Sequence, residues 1–110
     1  MKLPSKVKIN TYTYTLKEEN DPRFDDGADA WGYCDYDNQE IVIKKNATKE
    51  RKRNIVLHEI MHAVFESVHA SPRSMRADEI EEYYVVHSAP ILVDVLRDNP
   101  NLVKYLTHKD

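Results

Sequence analysis

Five residues in the middle of the chain, His58 to His62, constrain its fold more than any other segment. They read HEIMH, and the segment around them, residues 51–68, has apolar residues at helical spacing. On an α-helix, two side chains four residues apart lie about 40° apart around the axis and one turn along it. Both imidazoles can therefore reach the same point in space, with Glu59 beside them.

Two histidines and a glutamate in the pattern HExxH on a helix are typical of zinc-dependent hydrolysis. In that mechanism the histidines bind the ion, and the glutamate takes a proton from the zinc-bound water and passes it to the leaving group. A shuffled chain of this composition contains the pattern roughly 2% of the time, so its context must support it. Otherwise His58 and His62 are ordinary surface or half-buried histidines, and Glu59 is a solvated helix residue.

The predicted helix, residues 51–68, has a core side and a site side. We expect one continuous apolar stripe to face the core, formed by Leu57, Ile60, Met61, Val64 and Val68. His58 and His62 lie on a different face. Asn46 or Thr48 can cap the helix by accepting a hydrogen bond from an N–H of its first turn.

The composition narrows the classes of function. A chain of 110 residues with 41% hydrophobic and 32% charged residues is expected to form one domain spanning residues 1–110. Its formal net charge of -3 argues against non-specific binding of nucleic acid or anionic membranes. Cys34 is the single cysteine, so no internal disulfide is expected. Charge and Pro4 stand where a signal peptide needs an apolar run, and no segment has the length of a membrane span, so we expect a cytoplasmic protein.

Three strands are predicted before the helix. Residues 7–16 alternate and are rich in β-branched and aromatic types, which is typical of a strand. Residues 31–36 and 39–44 flank Asp37-Asn38, a pair that tolerates the backbone angles of a tight turn, so we predict a hairpin. The aspartates of residues 18–30 lack the regular spacing of a calcium loop, which favours a solvated loop.

Two helices are predicted after it. The first helix is expected to end near residues 69–71 because Pro72 disfavours helical angles in the residue before it, and a loop follows through Ser74. A second helix runs from residue 77 or 78 to about residue 97 with a kink at Pro90, and a short one covers residues 101–107. The predicted fold is an α+β domain, in which a short antiparallel sheet of about three strands packs on these helices.

A catalytic zinc generally has three protein ligands, so a third is expected from elsewhere in the chain, and the second helix offers a candidate. Glu82 lies in the middle of an apolar stripe formed by Val85, Val86, Ala89, Leu92, Val93 and Leu96. A carboxylate on an inward-facing apolar stripe is unfavourable without a cation, and zinc would be such a partner. Glu79 is a fallback, and exposure of the helix's first turns is the alternative for Glu82. His69 is about 10 Å along the axis from His62, too far to share the ion unless the helix breaks first.

The chain resembles the small HExxH proteins encoded by bacteriophages and prophages, which are similar to the ImmA/IrrE group of zinc metallopeptidases. The resemblance covers roughly residues 31–100, with a WGY hairpin, an EIVI strand, the helix LHEIMHAVFE and an acid-led helix ending LRDNP. It implies a zincin-like domain in which His58, His62 and Glu82 hold Zn²⁺ and Glu59 is the general base. It also implies a protein or peptide substrate, which in the best-understood relatives is a transcriptional repressor, and the host cytoplasm as location.

The chain differs from that group in two respects that bear on which substrate it takes. Relatives often have a further domain or an adjacent DNA-binding partner protein, and this chain contains neither. Ile60-Met61 stands where the group often has Leu-Gly.

The preferred hypothesis is therefore a zinc-dependent metalloendopeptidase, with residues 41–44 as an edge strand that binds an extended substrate. The alternative is a non-catalytic, zinc-stabilised protein that binds a host or phage regulatory protein. A DNA-linked role through the basic cluster of residues 44–53 is the poorest of the three, since the net charge is acidic and a solvated face explains the cluster. Tyr33, Tyr83 and Tyr84 are candidate oxyanion donors by residue type alone.

Overall fold

The first half of the chain forms strands and the second half forms helices. The computed structural model describes residues 1–68 and 75–110. Its elements are β1 (Lys6–Ile9), β2 (Tyr12–Glu19), β3 (Gly32–Asp35), β4 (Glu40–Lys44), α1 (Lys49–Glu66), α2 (Ala77–Asp98) and α3 (Pro100–Thr107). The predicted end of the first helix at residues 69–71 and the loop through Ser74 lie outside the described residues.

The sheet has four strands in the order β1-β2-β4-β3, and it is mixed. β1 and β2 are antiparallel, β3 and β4 are antiparallel, and the central pair β2 and β4 is parallel, with Leu16 opposite Ile41. The fold is thus an α+β domain, but the prediction of about three antiparallel strands was wrong in number and direction. The predicted hairpin of residues 31–44 is confirmed.

The extra strand comes from a turn inside the segment that was predicted as one strand. Asn10 has a φ of 58°, in the left-handed region that asparagine tolerates better than most residues. The chain therefore reverses at residues 10–11, and Val7 pairs with Tyr14 across a hairpin. The alternation of apolar residues is kept on both sides of the turn, so it did not reveal the reversal.

The core lies between one face of the sheet and the helices. Its buried members are Val7, Ile9, Tyr14, Leu16, Ile41, Ile43, Ile55, Val56, Ile60, Ala63, Val64, Val95, Leu102 and Tyr105. Residues two apart in each strand share a face, which is why the alternating members of β1, β2 and β4 lie on the same side of the sheet. On that side α1 packs mainly against β3 and β4, and α2 packs against β1. The site helix is therefore anchored along most of its length.

The buried face of α1 differs from the predicted stripe. Leu57 and Met61 are 38% and 44% exposed, whereas Val56, Ala63 and Glu59 are buried. The stripe was chosen for its large apolar residues, but the face that meets the sheet also contains a small residue and a carboxylate. The predicted cap is confirmed at Thr48, whose side chain accepts a hydrogen bond from the Arg51 N–H at 3.2 Å.

The helix α2 also presents a different face from the one predicted. Val95 is its one buried residue among those described, while Val85, Val86, Val93 and Leu96 are exposed. The apolar residues of α2 lie on several faces, so periodicity alone did not identify the one that meets the core. Pro90 lies inside the continuous helix.

Asn99, between α2 and α3, connects the helices to the sheet. Its side-chain amide donates to the carbonyls of Lys8 and Val95 at 2.8 and 2.7 Å, and its Oδ1 accepts from the Lys8 N–H at 2.8 Å. One side chain thus satisfies both outward-facing backbone groups of Lys8 on strand β1. In the described parts of the chain, no helix combines the length and the hydropathy needed to cross a membrane.

Candidate metal centre

His58 and His62 direct the same nitrogen toward a common point. Their Nε2 atoms are 3.2 Å apart, and the ring centroids are 4.8 Å apart with the ring planes at 73°. Two nitrogens that bind one tetrahedral zinc at about 2.0–2.1 Å lie about 3.3 Å from each other. The pair therefore has the spacing of two zinc ligands, although a hydrogen bond between two neutral imidazoles has a similar length.

Glu59 is the third member of the cluster. One ligand atom from each of His58, Glu59 and His62 lies within 4.8 Å of the other two. The histidines are exposed, whereas Glu59 is 5% exposed. Burial raises the pKa of the Glu59 carboxyl, and positive charge on the two histidines acts in the opposite direction. A carboxyl group whose pKa is raised toward neutrality is a better general base or acid than a solvated one.

Gly32 in β3 allows α1 to lie close to the sheet beside Glu59. A Cβ atom at this position would lie 2.7 Å from Cγ2 of Ile55, 2.8 Å from the carbonyl oxygen of Val42 and 3.6 Å from Cγ of Glu59. Any side chain at Gly32 would push the helix away or bend the strand. This role of Gly32 was not predicted, although a glycine inside a strand is a known signal of close backbone approach.

The strand nearest the site is β3, at the edge of the sheet. The prediction that residues 41–44 form an edge strand is wrong, because β4 lies between β2 and β3. The Lys44 N–H donates to the Trp31 carbonyl at 2.8 Å, so by the alternation of an antiparallel pair Tyr33 also faces β4. The backbone groups of Gly32 and Cys34 consequently point away from β4.

Glu82 is not part of the cluster formed by the described residues. It is exposed on α2, on the same side as the exposed Val85 and Val86. The first half of α2 does contact α1, since the rings of Phe65 and Tyr84 meet edge to face with centroids 5.4 Å apart. The structure therefore brings the helix of Glu82 to α1 without joining its carboxylate to the two histidines.

The other ligand candidates lie elsewhere. The Glu79 carboxylate pairs with Arg76 at 2.7 Å, and His69 is outside the described residues. Cys34 is half-buried near the site, and burial raises the pKa of its thiol to about 12, so it is a neutral group at physiological pH.

The candidate oxyanion donors differ in position. Tyr33 is half-buried on β3, where burial raises its pKa. Tyr83 packs between Tyr84 and His87, with ring centroids 5.4 and 4.5 Å away. This packing role is the one expected for an aromatic residue on a helix.

Several members of the basic cluster have partners within the chain. Lys52 pairs with Glu18 at 3.6 Å, and Arg53 pairs with Asp110. Lys44 and Arg51 both lie over the ring of Trp31, at 4.6 and 4.5 Å from its centroid. The cluster is therefore divided between internal ion pairs and contacts with one aromatic ring.

Comparison of the chain with models of protein families, with curated proteins and with solved structures gives no match. The family resemblance stays a prediction, and the assignment of function rests on the geometry of the cluster and its surroundings.

Proposed function

We propose that this protein is a zincin-like, zinc-dependent metallopeptidase that cleaves a peptide bond in a protein substrate. The observation that carries the proposal is the pair of Nε2 atoms 3.2 Å apart with the buried carboxylate of Glu59 next to them. Imidazole nitrogen is a preferred zinc ligand. A buried carboxylate is unfavourable unless a cation lies beside it, and a metal held by the two exposed histidines would be that cation.

In this proposal His58 and His62 hold the metal, and Glu82 is the third ligand. Zinc supplies Lewis acidity toward a carbonyl and lowers the pKa of a bound water. Glu82 lies two residues before Tyr84, which already contacts Phe65 of α1. Because its carboxylate is exposed and outside the cluster, we expect metal binding to draw the first turns of α2 toward α1.

Glu59 moves the proton. Its burial favours the neutral acid, so the carboxylate accepts a proton from an attacking water more readily than a solvated glutamate does. The protonated group can then donate to the leaving nitrogen. Strand β3 passes close to Glu59 at Gly32, where an added Cβ would lie 3.6 Å from the Glu59 Cγ, so the side chain has little room to move between the two transfers.

The outer edge of β3, which pairs with no other strand among the described residues, is the place for an extended substrate. The backbone groups of Gly32 and Cys34 point away from β4 and can pair with a peptide backbone next to Glu59. This pairing recognises an unfolded or extended segment irrespective of its side chains. A cytoplasmic regulatory protein such as a transcriptional repressor, the substrate that the family resemblance implies, would need to present such a segment.

The exposed face of α2 favours one alternative. Val85, Val86 and Val93 are each more than half exposed, and apolar surface of this kind marks protein contacts. A non-catalytic protein that retains zinc for folding and binds a host or phage regulatory protein would use this face.

The first experiment measures zinc in protein purified without chelator. We expect about one zinc per chain, lost in His62→Ala and in Glu82→Ala. His87→Ala is the matched control, because His87 is an exposed histidine outside the cluster. A parent protein without zinc would overturn the proposal, and retention of zinc in Glu82→Ala would remove Glu82 from the ligand set.

The second experiment separates the enzyme from the binding protein. Glu59→Gln should keep zinc and lose hydrolysis of an unfolded protein substrate. If Glu59→Gln retains the full biological effect, the alternative is correct.

A further inference from the structure

A cavity of about 350 Å³ opens directly beside His58 and Glu59. This volume is at the lower end of the range for small-molecule sites and suits one or two amino-acid side chains. The cavity adjoins the outer edge of β3 at Gly32, which lines it, and does not extend along that edge to Cys34. It can therefore select a side chain, whereas strand pairing recognises only backbone.

One wall of the cavity is a stripe of α1. Arg51, Asn54, Ile55 and His58 line it at positions i, i+3, i+4 and i+7, so they follow one another along the same side of the helix. The stripe leads from the start of α1 to the candidate metal ligands. A group bound against Ile55 would lie within one helical turn of His58.

The opposite wall is aromatic and comes from the loop before β3. Phe24 and Trp31 line the cavity and are 49% and 50% exposed. Large aromatic side chains that stay half-exposed beside a cavity leave apolar area to be covered by a ligand. Together with Ile55 they form an apolar surface for a large side chain.

Positive charge lies on the lining of the cavity at Arg51 and near it at Lys44, which contacts Trp31 but does not itself line the cavity. Arg51 and Lys44 lie over the ring of Trp31, and neither has a carboxylate partner among the described residues. Two acids line the cavity: Asp29 is paired with Arg23 at 2.8 Å, and Glu59 lies at the end of the cavity beside His58. A ligand with a carboxylate would therefore meet free cations, and a cationic ligand would be repelled from the ring that those cations already occupy.

We propose that this cavity binds a large apolar side chain, preferably aromatic, together with a neighbouring carboxylate that contacts Arg51. The inference rests on the proposed function, for which it names the substrate class: peptides with an aromatic residue next to an acidic group at the cleavage site. The carboxylate comes either from an acidic side chain or from the free C-terminus of a peptide.

The test uses the fluorescence of Trp31, the single tryptophan of the chain, in zinc-free and zinc-loaded Glu59→Gln protein. The probes are acetylated, amidated hexapeptides without tryptophan that contain Phe-Glu, Phe-Gln or Ala-Glu at their centre. A fourth probe ends in phenylalanine with a free carboxylate. We expect saturable binding of the Phe-Glu or the C-terminal phenylalanine peptide, at least about tenfold tighter than the Phe-Gln and Ala-Glu peptides, as one charge-assisted contact would produce. The tighter of the two identifies the source of the carboxylate.

Matched variants show whether Arg51 is responsible for the preference. Arg51→Gln should abolish the preference for Phe-Glu over Phe-Gln, and Lys45→Gln, an exposed lysine of the same cluster outside the cavity, should leave it unchanged. Equal binding of all four peptides, no binding of any, or an unchanged preference in Arg51→Gln would overturn the proposal.

The two proposals fail in different ways. Selective peptide binding to a protein that holds no zinc would support the proposed peptide-binding cavity and contradict the proposed peptidase. Zinc bound by the histidines without peptide selectivity would support the proposed metal site and contradict the proposed peptide-binding cavity.

Discussion

The helices α1 and α2 have similar lengths, 18 and 22 residues, but differ in how they meet the core. α1 begins four residues after β4, buries six residues against the sheet and holds both histidines and Glu59. α2 buries Val95 near its C-terminal end and leaves most of its apolar residues exposed. The part of the candidate site that lies on α1 is therefore preorganised, whereas the part predicted on α2 depends on a helix with little burial.

The largest expected difference between α1 and α2 is in how much a substitution in each helix lowers the free energy of unfolding. Ile60→Ala removes a fully buried side chain of α1 and should lower the free energy of unfolding by about 2–5 kcal/mol. Val93→Ala on α2 removes a side chain that is 52% exposed and should change it by less than about 0.5 kcal/mol. Urea unfolding followed by circular dichroism measures both. Comparable losses would show that α2 is covered in solution.

Zinc should bring the local stability of the first turns of α2 closer to that of α1. A ligand that binds only the folded state stabilises it by about 2.7 kcal/mol at one hundred times its Kd. If Glu82 is a ligand, zinc should also slow amide hydrogen exchange in the first turns of α2, in the parent protein but not in Glu82→Ala. Slower exchange confined to α1 would mean that the two helices stay independent at the site.

Gly32→Ala tests how closely α1 is held. The added methyl group would meet Ile55 and the Val42 carbonyl below 3 Å, so we expect a loss of about 1–3 kcal/mol and weaker zinc binding as Glu59 and its helix shift. Gly27→Ala is the comparison. Gly27 has a φ of +86° with open space around it, so its substitution strains the backbone without touching α1. Zinc affinity that is equal in the two variants would contradict the role of Gly32.

The smallest effect at neutral pH concerns Cys34, on the strand beside α1. Burial raises the pKa of its thiol to about 12, against about 8.5 in an unfolded chain. The folded state therefore keeps the proton longer, and the stability this contributes is present below about pH 8.5 and is lost as pH rises toward 12. At pH 9, iodoacetamide should alkylate the native protein far more slowly than the urea-unfolded protein. Equal rates would show that the thiol is exposed.

The features predicted correctly depend on residues close in the chain. The cap at Thr48, the hairpin of residues 31–44 and the convergence of His58 with His62 were predicted from short segments. In the hairpin loop the left-handed residue is Gln39, with a φ of 54°, and not the predicted Asp37 or Asn38. Each of the three features needs only a few neighbouring residues to form. Local rules therefore sufficed for the centre of the site.

The features that were wrong depend on contacts between distant segments. β4 became a central strand because it pairs in parallel with β2, which no periodicity within β4 reveals. The orientation of α2 depends on which of its apolar faces meets β1 and α3. Gly32 has its effect only where the strand meets Ile55 of α1. The third ligand also depends on a contact between distant segments and stays a prediction, which is why the zinc measurement on Glu82→Ala is decisive.

Asn99 has a consequence for the way copies of this protein can associate. Its amide occupies the outward backbone groups of Lys8, and the exposed Lys6 and Lys8 side chains further blunt that edge of the sheet. The other edge, β3, pairs with no strand in the described part of the chain, so a second copy can add there. With one open edge, two copies joined edge to edge would use up both open strands, and growth would stop at a symmetric pair. Asn99→Ala would free the second edge and permit a fibre, in which every copy pairs with a neighbour on each side.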